Sequence, residues 1–178
     1  MLIILDRDGV INHESDQYIK TPAEWRPIAG SLAAIARLNK AGHKVVIATN
    51  QSGVGRGLYS QEMLGKIHAA MERALIHVGG HLDGIFYCPH TPDDHCSCRK
   101  PKPGMLLEIA AHFPEGFNSA IFVGDSLRDI QAAQTVAIKA VLVRTGNGAA
   151  TITAAKQLGD VSVYDNLAAF VDDLLRSA

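Results

Sequence analysis

The chain has 178 residues, 47% hydrophobic and 20% charged, with a formal net charge of −1. That length favours one domain, residues 1–178, with a full apolar core, and the composition excludes a disordered chain. The near-neutral charge leaves no global basic field for nucleic acid, so anion recognition must be local.

Taken in order, apolar runs alternate with helical patterns. Leu2–Leu5 reads as a buried strand, and Ser31–Ala41 as a helix with Leu32, Ile35 and Leu38 at helical spacing and Gly42 as its stop. Lys44–Ala48 is a β-branched strand. Ser60 can cap a long helix whose face is Met63, Ile67, Met71 and Leu75, ended by Gly79-Gly80. Gly84–Tyr87 is a short strand, and Pro103 opens a helix through His112. Ala120–Val123 (strand), Leu127–Thr135 (helix) and Lys139–Val143 (strand) follow, then Val161–Tyr164 as a weaker strand and a last helix around Asn166–Arg176. Strands separated by helices imply right-handed βαβ units, hence an α/β, doubly wound parallel sheet. No apolar run reaches the roughly 18–20 residues that cross a bilayer. Met1–Leu5 is too short for a signal core and runs into carboxylates, so the expected compartment is the cytoplasm.

In a doubly wound fold, ligands sit at the carboxyl ends of the strands, and the unusual residues fall there. The first strand ends in Asp6-Arg7-Asp8-Gly9. Acidic residues at i and i+2 share one side of an extended chain. Crowded at the mouth of a buried sheet they need a cation, and Mg²⁺ suits oxygen ligands best. Alone, such a pair is ordinarily a solvated turn. The second strand ends in Thr49-Asn50-Gln51-Ser52-Gly53-Val54-Gly55-Arg56-Gly57, rich in hydroxyl, amide and backbone donors but without the lysine of a nucleotide P-loop. Cys98-Arg99-Lys100-Pro101-Lys102-Pro103-Gly104 is a stiff cationic loop before a helix. A later strand ends in Gly124-Asp125-Ser126-Leu127-Arg128-Asp129. Asp125 supplies a third carboxylate at the same edge, whereas Asp129 reads equally well as a helix-start residue meeting the helix dipole.

Cys88-Pro89-His90 and Cys96-Ser97-Cys98 place three thiols and an imidazole within eleven positions. Cys-x-His with Cys-x-Cys can close a tetrahedral Cys₃His site for Zn²⁺, giving a zinc-stapled loop at 88–98 with no open position for catalysis. His95 is the alternative nitrogen ligand. The remaining histidines, His68 among them, are expected at the surface or partly packed.

The order of these motifs resembles the haloacid dehalogenase (HAD) superfamily of phosphatases, over nearly the whole chain. Leu5-Asp6-Arg7-Asp8-Gly9-Val10-Ile11-Asn12 and Thr49–Gly57 are similar to its histidinol-phosphate and heptose-bisphosphate phosphatase branch, whose members have a minimal cap domain or none. The resemblance implies that Asp6 attacks phosphorus and that Asp8 protonates the leaving oxygen, then deprotonates water. It implies that Asp6, Asp125 and the backbone carbonyl of Asp8 hold Mg²⁺, and that Thr49 and Lys100 bind the phosphoryl oxygens, with Lys102 as a stand-in for Lys100. Asn50, Gln51, Ser52, Arg56 and Arg99 are expected substrate contacts. Arg99, with Arg56 or Arg144, suits a second phosphate that stays on the substrate. Some relatives carry lysine where this chain has Ser126. The expected partner is a small phosphorylated sugar, with no nucleic acid and no membrane, and the expected form is a monomer. Histidinol phosphate is the rival substrate, and a non-catalytic zinc-stapled interaction domain is the rival of another class.

Overall fold

A computed structural model describes residues 1–177. The strands are β1 (Leu2–Leu5), β2 (Lys44–Asn50), β3 (Gly84–Cys88), β4 (Ile121–Gly124), β5 (Lys139–Val143) and β6 (Ser162–Tyr164). They form one six-stranded sheet in the order β3-β2-β1-β4-β5-β6, with every neighbouring pair parallel. This is the doubly wound sheet that the alternation implies.

The helices are α1 (Ser31–Lys40), α2 (Ser52–Gly55), α3 (Gln61–His77), α4 (Gly104–His112), α5 (Pro114–Phe117), α6 (Leu127–Thr135), α7 (Gly148–Gln157) and α8 (Leu167–Arg176). Because side chains alternate along a strand, β1 feeds two cores. Ile3 and Leu5 pack with Ile35 and Leu38 of α1, Ile67 and Met71 of α3, and Phe170 and Val171 of α8. Leu2 and Ile4 pack on the other face with Leu106 and Ile109 of α4 and Ala132 and Ala133 of α6. A sheet covered on both faces has no polar side to display, which is why β1 reads as an unbroken apolar run.

The Ser60 hydroxyl caps α3 by accepting from the Met63 amide at 3.0 Å. The buried face of α3 differs from its expectation. Leu64 and His68 face inward with Ile67, Met71 and Leu75, and Met63 is only half-buried. His68 is therefore a core residue, 6% exposed, and not a surface histidine. The sequence reading also passed over α7. Its run of alanines and threonines has little apolar contrast, and only Gly148 and Ala155 are buried.

After β1 the chain winds outward through β2 and β3, then crosses back to β4 on the other side of β1. The crevice where this reversal occurs lies beyond the ends of β1 and β4, the usual ligand position in such sheets. Among the described residues, the segment between β1 and α1 carries a 3₁₀ turn at Pro22–Glu24 and two isolated bridges, Asp8–Asn12 and Asn12–Pro27, and no helix or strand that could form a separate cap there.

Candidate active site

Asp6 follows β1 directly, and its amide extends the ladder to Val123 O on β4 at 2.9 Å. Its Oδ2 lies 2.8 Å from Lys100 Nζ, and the same ammonium lies 2.7 Å from Asp129 Oδ1. Lys100 Nζ also donates to Ala48 O of β2 at 2.8 Å. With only 2% of Lys100 exposed, this is a buried lysine neutralised from two sides. Burial pushes the Asp6 carboxyl up to about 7 against the pull of Lys100, and the neighbouring Asp129 and Asp125 add to the rise. Asp125 is likewise pushed up to about 7, first by burial and then by Asp129.

Carboxylate oxygens of Asp6, Asp125 and Asp129 fall within 4.8 Å of one another. Oxygens around one octahedral Mg²⁺ stand roughly 3–4 Å apart, so the cluster fits a small, hard cation. Asp129 is engaged elsewhere: its Oδ2 accepts from Ser126 N at 3.0 Å and Ser126 Oγ at 2.8 Å, and its Oδ1 faces Lys100. Asp6 and Asp125 line the inner pocket, together with Thr49, Asn50, Glu14 and Arg128. Asp129 is thus both helix cap and lysine anchor, a pairing that its sequence position alone did not reveal.

The carboxylate of Asp8 does not join that cluster. It accepts from Arg7 Nε at 3.1 Å, Arg7 Nη2 at 3.0 Å, Asn12 Nδ2 at 2.8 Å and Gln51 Nε2 at 2.9 Å. Burial alone would raise its pKa, but Arg7 and these donors outweigh it and hold the carboxyl below the usual range. The Asp8 side chain is therefore taken up by these donors.

Asn50 and Gln51, both expected to touch substrate, line the outer cleft and also brace their neighbours. Gln51, 3% exposed, donates to Asp8 and, at 3.0 Å, to Thr49 Oγ1, while its Oε1 accepts from Arg7 and from Tyr59 OH at 2.8 Å. Asn50 makes a two-way bond with the Lys100 backbone, Nδ2 to O and N to Oδ1, both at 3.1 Å. These amides fix Thr49 and Lys100 against each other. Residue type hinted at substrate, but the path of the loops decides the partner.

Gly9 and Gly146 let Asp125 approach. Gly146 has φ +57°, and a Cβ there would lie 2.1 Å from Asp125 Oδ2; at Gly9, φ +80°, the clash would be the same. Asn147 N donates to that Oδ2 at 2.8 Å, and Asn147 Nδ2 also bonds Glu14 Oε2.

An outer cleft of ≈ 430 Å³ opens from the inner pocket. Its lining includes Glu14, Ser15, Asp16 and Tyr18 together with Ser52, Arg56, Arg99 and Arg128. None of these three arginines forms an ion pair among the described residues. Burial and then the charges of Arg128 and Arg56 lower the Arg99 pKa, as expected where guanidiniums crowd without a counter-anion. Arg128 was missed because it sits in the first turn of α6 between residues that read as metal ligand and cap. Arg144 does not belong to this group: it pairs with Asp165 at 3.2 Å.

Cys88, at the end of β3, brings its sulfur within 3.6 Å of His90 Nδ1, 3.6 Å of Cys96 Sγ and 3.2 Å of Cys98 Sγ. Cys98 Sγ lies 3.4 Å from His90 Nδ1 and 3.5 Å from Cys96 Sγ. A tetrahedron with Zn–S bonds of about 2.3 Å has edges of about 3.8 Å, so the four atoms fit a closed Zn²⁺ site. His95 is outside this group. Lys102 Nζ donates to His95 O and Cys96 O, at 3.1 and 2.8 Å, and stays in the loop, leaving Lys100 as the buried cation.

Comparison with known proteins places this site. A family model described as HAD-hydrolase-like matches residues 97–170. A D-glycero-β-D-manno-heptose-1,7-bisphosphate 7-phosphatase of Pseudomonas putida is 50% identical over 175 residues, covering 98% of this chain and 99% of its own. The crystal structure of D,D-heptose 1,7-bisphosphate phosphatase from B. bronchiseptica, complexed with magnesium and phosphate, has a TM-score of 0.94 at 49% identity, covering 99% of each chain. Its Burkholderia thailandensis counterpart has a TM-score of 0.75 at 40% identity, covering 98% of this chain and 97% of its own. A strand-end carboxylate backed by a buried lysine on this sheet defines a phosphoric monoester hydrolase of the HAD kind. The chain belongs to that superfamily and, within it, to the family of the D-glycero-β-D-manno-heptose-1,7-bisphosphate 7-phosphatases.

Proposed function

We propose that this chain removes the 7-phosphate of D-glycero-D-manno-heptose 1,7-bisphosphate through an aspartyl phosphate on Asp6. The observation that carries the substrate is the set Arg56, Arg99 and Arg128 lining the outer cleft, with no ion pair to a carboxylate among the described residues. A phosphate that is not cleaved answers that charge, and its binding orients the phosphate that is. Glu14, Ser15, Asp16 and Tyr18 of the same cleft offer acceptors and hydroxyls to a sugar. On this reading the product feeds the synthesis of ADP-heptose for the lipopolysaccharide core, and the reaction runs in the cytoplasm.

Asp6 attacks phosphorus as a carboxylate that needs no activating base. Asp8, whose carboxyl must first take up a proton against the pull of Arg7, gives that proton to the departing sugar oxygen and later takes one from the attacking water. Lys100 and Thr49 hold the equatorial oxygens as charge shifts onto them. Asp6, Asp125 and the Asp8 carbonyl would hold Mg²⁺, which would offset charge on the phosphoryl group. Cys88, His90, Cys96 and Cys98 would hold a Zn²⁺ ion, which would fix the shape of the loop that delivers Arg99 and Lys100.

Side-by-side kcat/KM values with Mg²⁺ test the substrate. The heptose bisphosphate should exceed histidinol phosphate by about a hundredfold, since a cationic amino alcohol meets three guanidiniums. Equal values, or the reverse order, would reject the reading; no phosphate release from either would favour a non-catalytic domain. Arg128→Ala should raise KM for the bisphosphate by about tenfold and leave a monophosphate nearly unaffected. Gly146→Ala should displace Asp125 and raise the Mg²⁺ concentration for half-maximal rate by about tenfold. Protein purified without added zinc should carry about one Zn²⁺ per chain, and Cys98→Ser should lose it.

A further inference from the structure

Behind Asp8 lies a buried set of side chains that touches neither the cleft's arginines nor the carboxylate cluster. Arg7 is fully buried, and its guanidinium is divided between partners. Its Nε and Nη2 edge grips Asp8, Nη2 also reaches Gln51 Oε1 at 3.2 Å, and Nη1 lies 3.3 Å from His68 Nε2. A guanidinium only donates, so His68 Nε2 must be the acceptor and the imidazole proton must sit on Nδ1. Burial and then the Arg7 charge lower the His68 pKa to about 4, which agrees with a neutral ring. The ring is held edge-on against Tyr87, with centroids 5.9 Å apart and planes at 61°, and the Tyr87 hydroxyl accepts from Gln61 Nε2 at 2.6 Å.

The choice of a neutral acceptor has a physical reason. A carboxylate at position 68 would compete with Asp8 for Arg7 and pull the guanidinium toward α3. An apolar residue would leave a buried N–H without a partner, a group that would turn to seek one. Histidine satisfies Nη1 without offering a rival charge. We infer that His68 is a positioning residue: through Arg7 it sets the orientation of the Asp8 carboxylate, although it touches no reacting atom. The inference rests on the reading of Asp8 as proton donor to the leaving group.

The test separates positioning from folding by the leaving group. A sugar alkoxide needs the Asp8 proton to depart, and p-nitrophenolate does not; kcat/KM reports the steps through departure. His68→Leu should lower kcat/KM for the heptose bisphosphate by about tenfold or more, and for p-nitrophenyl phosphate by less than about threefold. His68→Gln, whose Oε1 reaches the place of Nε2, should return the sugar value to within about threefold of the unmodified chain. Melting temperature identifies a variant that fails to fold; His68→Asn, with its acceptor withdrawn from Arg7, then replaces His68→Leu. An unchanged sugar value, an equal fall on both substrates, or a glutamine variant no better than leucine would overturn the inference. An unmodified chain active on the aryl ester but inert toward the sugar would instead overturn the functional reading, and the inference with it.

Discussion

Asp6→Asn is expected to lower turnover by at least about a thousandfold at saturating Mg²⁺, while the chain still folds. The amide keeps the shape of the side chain and loses its nucleophile. It also loses the charge that faces Lys100 at 2.8 Å, but Lys100 retains Asp129 at 2.7 Å and is not orphaned. Asp6 is heavily desolvated, with burial pushing its carboxyl up to about 7, so neutralising it removes a cost as well as a contact. The melting temperature should therefore change little while activity collapses. That dissociation marks a residue kept for chemistry.

Lys100→Met should damage both properties. Methionine matches the length of lysine, yet the change leaves Asp6 and Asp129 facing each other without a cation between them. Breaking a buried pair in this way costs about 3–5 kcal/mol, and loss of the phosphoryl-oxygen contact adds about a hundredfold to a thousandfold in kcat. The Lys100 pKa is raised by Asp129 and Asp6 against the opposing effect of burial. A raised lysine contributes stability that is fully present below its unfolded pKa, about 10.5, and is lost as pH climbs through the folded value. Denaturant titration at neutral and alkaline pH should show a gap between the unmodified chain and Lys100→Met that narrows above that point. Lys100 also opposes the rise of Asp6, so its removal should move the acid limb of the pH–rate profile to higher pH.

The framework was legible because this sheet writes itself plainly. Buried parallel strands are unbroken apolar runs, and residues that follow them directly converge at one edge. Asp6, Thr49 and Asp125 are placed by that rule alone. The cysteine cluster was legible because its four members are near neighbours in sequence. What stayed hidden depends on contacts between distant loops. Asp129 reads as a cap until Lys100, from the loop after β3, reaches it. Gln51 and Asn50 read as substrate donors until Asp8 and the Lys100 backbone take their amides. Arg128 acquires meaning only beside Arg99 and Arg56, which come from two other segments. His68 follows the spacing of the α3 core face, but a lone polar residue there does not announce that Arg7 needs an acceptor.

The central claim is that phosphate passes through a covalent bond to Asp6. It is tested most directly by acid-quenching the enzyme during turnover of heptose bisphosphate labelled in its 7-phosphate and mapping the label on the protein. The label should lie on the peptide that contains Asp6, at its side chain, and should be absent from Asp6→Asn. Label on another residue, or label that persists in Asp6→Asn, would contradict the account.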